Sequence, residues 1–131
     1  MDARWAEILI VAAGGAAGSV ARYGVGRLLP AAHTLSATMM CNLTGCLAIG
    51  IVAALFRHFE AGQWLYLLVI TGIMGGYTTY SAFALDAVRF LEAGHHAEAI
   101  TYVLTTLIGA VVACTAGYFG TSSLLRLLQP S

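Results

Sequence analysis

Residues 61–85 read AGQWLYLLVITGIMGGYTTYSAFAL, with no Asp, Glu, Lys or Arg. A run of this length exceeds the roughly 20 apolar residues that carry a helix across a bilayer. Its centre is unusual: Gly72, Gly75 and Gly76 precede Tyr77, Thr78, Thr79, Tyr80 and Ser81, placing weak helix formers and hydroxyls at mid-membrane depth. Two readings follow. In one, the helix breaks and Gly75 to Thr79 becomes a candidate ion site, because carbonyls at the end of a half-helix are good cation ligands where protein or water satisfies the remaining groups. In the other, the helix is whole and its glycines permit close contact.

Outward from this stretch, the charge-free runs are Ile8 to Ala21, Leu28 to Phe56 and Ala99 to Leu125. The first is short but continues through Arg22, which can snorkel to the headgroups. With 131 residues, 60% of them hydrophobic and a mean hydropathy of +0.84, the chain cannot hide its apolar side chains in a water-soluble core of that size. The expected fold is an all-α membrane protein of four transmembrane helices, over approximately 5–28, 35–57, 63–90 and 98–126, with the third broken near its centre. Arg22 and Arg27 follow the first run without a clean small-residue cleavage site, so all four spans are expected in the mature protein. Cys41, Cys46 and Cys114 fall inside spans without C-x-x-C spacing and are read as buried apolar fillers.

Short connections around Pro30 to His33, Arg57 to Gly62 and Glu92 to Glu98 make neighbouring helices antiparallel. Arg4, Arg57 and Arg126 then lie on one side and Arg22, Arg27 and Arg89 on the other, and there is no lysine. The excess of Lys and Arg that normally fixes orientation is absent. Either the chain inserts both ways and pairs head to tail, or other factors fix one orientation. Gly14 and Gly18 form a G-x-x-x-G pair suited to close helix packing, and no strand precedes them as a nucleotide-binding loop would require.

Asn42 stands near the middle of the second span, with Thr38 one turn earlier and Ser36 and Gly45 nearby. An amide there either lines a wet path or glues helices together. Tyr80 and Phe83, at i, i+3, can present rings on one side of the third span beside Ser81, and ring edges are electropositive. They are otherwise core. Tyr102 and Thr106, at i, i+4 with Thr105 beside them, give the fourth span a hydroxyl-bearing face, unless the threonines bond back to their own helix. Asp86 either snorkels or pairs with Arg89. His33, His58, His95 and His96 are read as solvated loop residues. No recognisable Ser, His and acid set is present, so no enzyme activity is expected, and no nucleic-acid partner.

Three segments, Gly14 to Tyr23, Thr38 to Asn42 with Gly45, and Gly75 to Phe83, together resemble the Fluc/CrcB family of fluoride channels in order and spacing. The resemblance implies an antiparallel dual-topology homodimer in the bacterial cytoplasmic (inner) membrane, with two fluoride paths and a central structural sodium ion. Carried over by position, Gly75 and Thr78 would ligate sodium through backbone carbonyls and Asn42 would be the pore amide. Tyr80 and Phe83 would be the aromatic-box positions, Ser81 part of a polar track, and Arg22 a positive residue near the vestibule. Thr38, Tyr102 and Thr106 join the same path. The family usually has Phe at the position of Tyr80 and a hydroxyl residue at that of Ala82. A small proton-coupled exporter would need a carboxylate embedded in the first span, where the nearest acid is Glu7 at its entrance. A non-transporting assembly factor is the other alternative.

Overall fold

Each of the four charge-free runs carries helix in the computed structural model, which describes residues 2–29 and 36–128. Helix α1 is Ala3–Leu28 and α2 is Ala37–His58. The third span starts as α3 (Gln63–Tyr66), widens into a π-helix over Leu67–Met74, and closes its first half as α4 (Gly75–Tyr77). Its second half is α5 (Tyr80–Glu92), and α6 is His96–Leu128. The spans Arg4–Leu28, Ala37–His58, Gln63–Glu92 and His96–Leu128 are each long and apolar enough to cross a membrane, and the described residues contain no strand.

Local chemistry sets the helix ends. Ser36 precedes α2, and its Oγ accepts from the Met39 N–H at 3.1 Å, satisfying one orphan donor of the first turn. Arg57 and His58 occupy the last turn of α2, where cations meet the negative pole of the helix. Between α5 and α6 the chain reverses through Gly94, whose φ of +78° is cheap only without a Cβ. His58 and His96 stand on helix ends, correcting the loop placement expected for them, because the helices run further than the charge-free stretches. His95 stays in the link, with Nδ1 2.8 Å from Glu98 Oε1. His33, the connection around it and position 35 lie outside the described residues.

Glycine decides which helices touch. A methyl group at Gly14 would meet the Leu68 carbonyl oxygen, one at Gly18 the Ile73 carbonyl oxygen, and one at Gly76 the Gly15 carbonyl oxygen. The G-x-x-x-G pair is therefore the seam that brings α1 backbone-to-backbone against the third span, where dispersion rather than water exclusion drives association. Helices α2 and α6 form a second close pair, with Gly50 against Cys114 and Gly117 against Leu47. They run parallel: Ser36 meets Tyr102, Gly50 meets Cys114 and Arg57 meets Tyr118, so residue numbers rise together. Few side chains are buried, among them Cys41, Ala54, Phe83, Ala99 and Tyr102, while Ile8, Val20, Ile108 and Val111 face outward. Lipid solvates that outward surface.

Candidate functional site

The third span is broken. Thr78 (φ −87°, ψ 155°) and Thr79 (φ −153°, ψ 119°) are both extended, separating α4 from α5. A continuous helix would bond the Thr79 N–H to the Gly75 carbonyl and the Ala82 N–H to the Thr78 carbonyl. Instead, Thr79 N–H donates to Asn42 Oδ1 at 2.7 Å, and Ala82 N–H donates to Thr79 Oγ1 at 3.3 Å. Both expected donors are diverted, leaving the Gly75 and Thr78 carbonyls without them at the negative end of a half-helix. These hard oxygens suit a cation such as sodium. The Gly76 carbonyl has other company: Arg22 Nε donates to it at 3.2 Å and Ser19 Oγ at 3.4 Å.

Asn42 holds the break from the other side. Its Nδ2 donates to the Thr79 carbonyl at 3.0 Å while its Oδ1 accepts from the N–H of the same residue. One amide thus satisfies both main-chain groups of Thr79, as a neighbouring strand would. The same Nδ2 carries a second hydrogen, not used by Thr79. Gly45, one turn beyond the Asn42 neighbourhood, makes room, since a methyl there would strike the Thr78 side chain.

A cavity of about 190 Å³ opens against this clamp, lined by Asn42, Thr78, Thr79, Tyr80, Phe83 and Thr106 among others. The Tyr80 and Phe83 ring centroids are 5.6 Å apart and the Phe83 and Tyr102 centroids 5.4 Å, so the rings form one row. Their burial differs, however: Phe83 is 5% exposed and Tyr80 75%. Position Tyr80 begins α5 on the outer face of the bundle, and the spacing rule alone could not distinguish the two. Thr106 is 3% exposed, and its Oγ1 is a buried oxygen without a hydrogen-bond partner. Leaving such a group unpaired costs about 1–3 kcal/mol, which calls for an explanation.

The remaining candidates lie around this centre. Tyr102 is buried; its hydroxyl accepts from Ser36 Oγ at 3.3 Å and donates to Asp86 Oδ2 at 3.2 Å. Asp86 also pairs with Arg89 at 3.6 Å, so it serves both partners. Ser81 is exposed, with Oγ 3.3 Å from Thr79 Oγ1. Thr38 is apart from the break cavity and lines a second one, about 460 Å³, with Ser19, Arg22, Tyr23 and Arg27. Arg22 therefore both faces that cavity and caps α4. Sequence reasoning missed the two roles of Thr79, as helix cap and as clamp partner. A threonine just ahead of an apolar helical run is an N-cap signal, and it was present inside the span.

A family model described as CrcB-like protein, Camphor Resistance (CrcB), matches residues 9–118. The chain belongs to the CrcB family. It is 47% identical over 113 residues to a protein of Paracoccus denitrificans named Fluoride-specific ion channel FluC, covering 83% of this chain and 89% of that one. Fluoride-specific ion channel FluC 1 of Nitrobacter hamburgensis is 43% identical, over 87% of this chain and 94% of the relative. The corresponding protein of Helicobacter acinonychis is 35% identical, over 85% and 91%. This is a family of channels, not of enzymes, and with its four helices the CrcB chain is a multi-pass membrane protein. The matched segment contains every residue of the break, the clamp and the cavity beside it.

Proposed function

We propose that this CrcB chain is a passive, fluoride-selective channel of the bacterial inner membrane that lowers fluoride toxicity by letting the ion leave the cell. The observation that carries the reading is the unpartnered Thr106 hydroxyl, buried beside the Asn42 amide and the Phe83 and Tyr80 rings in one cavity. Fluoride is small and strongly hydrated, and it crosses only where donors replace its water. Thr106 Oγ1 offers an O–H, Asn42 its second N–H, and the rings their electropositive edges. None carries a fixed charge that would trap the ion. Tyr102 and Ser81 extend the hydroxyl track on either side, with Thr38 and Arg22 at its approach.

The functional unit is an antiparallel homodimer with one path per protomer. Gly75, Tyr80 and Ser81 are exposed at the break, and broken backbone cannot face hydrocarbon. A second copy supplies the missing cover, and the three-to-three division of arginines lets copies insert both ways. A structural sodium ion is held by the Gly75 and Thr78 carbonyls, whose usual donors are engaged elsewhere. When bound, it supplies a fixed positive charge against the negative end of α4. Replacing sodium by N-methylglucamine should lower the thermal midpoint of the detergent-solubilised protein; a midpoint indifferent to the cation would remove this assignment.

The test of the function is efflux from liposomes loaded with potassium fluoride and triggered with valinomycin, against chloride-loaded vesicles. Rapid fluoride release without chloride release supports a selective channel, and retention of fluoride by well-folded dimers would sink it. Within that assay, Thr106→Val should slow fluoride release about tenfold while leaving thermal stability equal or higher, because an isosteric methyl relieves a buried unpaired hydroxyl. A loss of stability without a change in rate would make Thr106 a packing residue.

A further inference from the structure

Two arginine-bearing cavities stand at opposite ends of the molecule. One is the Arg22 and Arg27 cavity at the end of α1. The other, about 380 Å³, lies where α2 and α6 finish, and is lined by Ala54, Arg57, His58, Ser122, Leu125 and Arg126. Ser122 and Arg126 fall beyond the segment matched to the CrcB family. We propose that this second cavity is an anion-collecting mouth, which concentrates a small monovalent anion at the end of the furrow between α2 and α6. The proposal rests on the channel reading above.

Two helix C-termini meet here, each equivalent to roughly half a negative charge. One arginine offsets the pair, so a cavity built only to neutralise helix ends needs one. Arg57 and Arg126 together leave a surplus of about one positive charge, and His58 adds to it when protonated. No carboxylate lines the cavity among the described residues, and Ser122 contributes a hydroxyl donor.

Three cavities follow one another along the parallel helices. The α6 wall of the break cavity includes Thr106 and Ala110; that of an apolar groove of about 400 Å³ includes Cys114 and Tyr118; that of the mouth includes Ser122 and Arg126. These occur at every fourth residue. Asn42 and Cys46, then Gly50 and Ala53, then Ala54 and Arg57 form the matching series on α2. Arg57 Nη1 donates to Tyr118 Oη at 2.7 Å, turning the guanidinium toward the furrow and joining mouth to groove. An arginine that served only lipid headgroups would have no need of that inward bond.

The test compares the parent with Arg57→Gln/Arg126→Gln and Arg57→Lys/Arg126→Lys, reconstituted in neutral phosphatidylcholine. Fluoride efflux is measured at an ionic strength of about 0.01 M, where fields reach about 30 Å, and again near 1 M, set with potassium isethionate, where they reach about 3 Å. The glutamine pair should fall about three- to tenfold below the parent at low ionic strength and rejoin it at high ionic strength. The lysine pair should track the parent throughout. Equal rates at low ionic strength, a deficit indifferent to salt, or a lysine pair as impaired as the glutamine pair would overturn the mouth. So would a deficit confined to vesicles containing phosphatidylglycerol, which would reveal a lipid site instead. A parent that itself retained fluoride would sink the channel reading and the mouth with it, a result distinct from a conducting parent with conducting variants.

Discussion

Liposomes carrying Asn42→Asp should hold their fluoride, with efflux close to a thousandfold below the parent. Asparagine engages Thr79 with one donor and one acceptor, at 3.0 and 2.7 Å. Aspartate keeps the acceptor and loses the donor, so a carboxylate oxygen faces the Thr79 carbonyl where an N–H belonged. The orphaned, part-buried carbonyl costs about 1–3 kcal/mol. The larger effect is on the ion: a fixed negative charge about 4 Å from a passing anion repels it by about 4 kcal/mol at an effective dielectric near 20, which is nearly three decades in rate. Asn42→Leu removes both arms of the clamp without adding charge, and it separates the two terms. A folded Asn42→Asp protein that conducts at the parent rate would place the ion path elsewhere and leave Asn42 as a brace.

Gly18→Val should abolish a monodisperse, folded protein on size-exclusion chromatography in detergent. A Cβ at Gly18 would strike the Ile73 carbonyl oxygen and lie 2.8 Å from the Tyr77 nitrogen. All of these are main-chain atoms and cannot rotate aside, so the expected penalty is about 3 kcal/mol or more, at the upper end for overpacking. Separation of α1 from the third span would also pull Ser19 and Arg22 off the Gly76 carbonyl. Gly24→Ala is the control. Nothing lies within 4 Å of a Cβ there, and the gain in helix propensity of up to about 1 kcal/mol should leave the protein equally or more stable. A folded, conducting Gly18→Val protein would show that the seam is looser than its geometry.

The number of helices was legible in the sequence, and the break was legible as one of two readings, for related reasons. Long uncharged runs have only the bilayer as a plausible solvent, and glycines followed by hydroxyl residues at Gly75 to Thr79 are poor material for the middle of a helix. What ties the break together was less visible. The Asn42 amide left glue and pore as alternatives, and it clamps backbone beside the very cavity where a pore role was expected. Nothing about Arg22 in isolation indicated that its Nε would cap α4, because that bond spans 54 residues of sequence and depends on how closely Gly14 and Gly18 let α1 approach. The π-helix over Leu67–Met74 has no sequence signature we can identify. The unequal exposure of Tyr80 and Phe83 likewise follows from where α5 begins, one residue after an extended threonine.

The break also bears on how the chain is made. Gln63–Tyr77 and Tyr80–Glu92 are each about 20 Å long, whereas the hydrocarbon core is about 30 Å thick. Neither half can cross alone, so the third span enters the membrane as one unit whose midpoint carries exposed main-chain polarity. The groups that satisfy that midpoint, Ser19, Arg22 and Asn42, all precede it in the chain. During synthesis they leave the ribosome ahead of Thr78 and Thr79. The α6 residues Tyr102 and Thr106 arrive last and brace none of it directly. The nascent protein can therefore secure its most vulnerable backbone without waiting for α6 to pack.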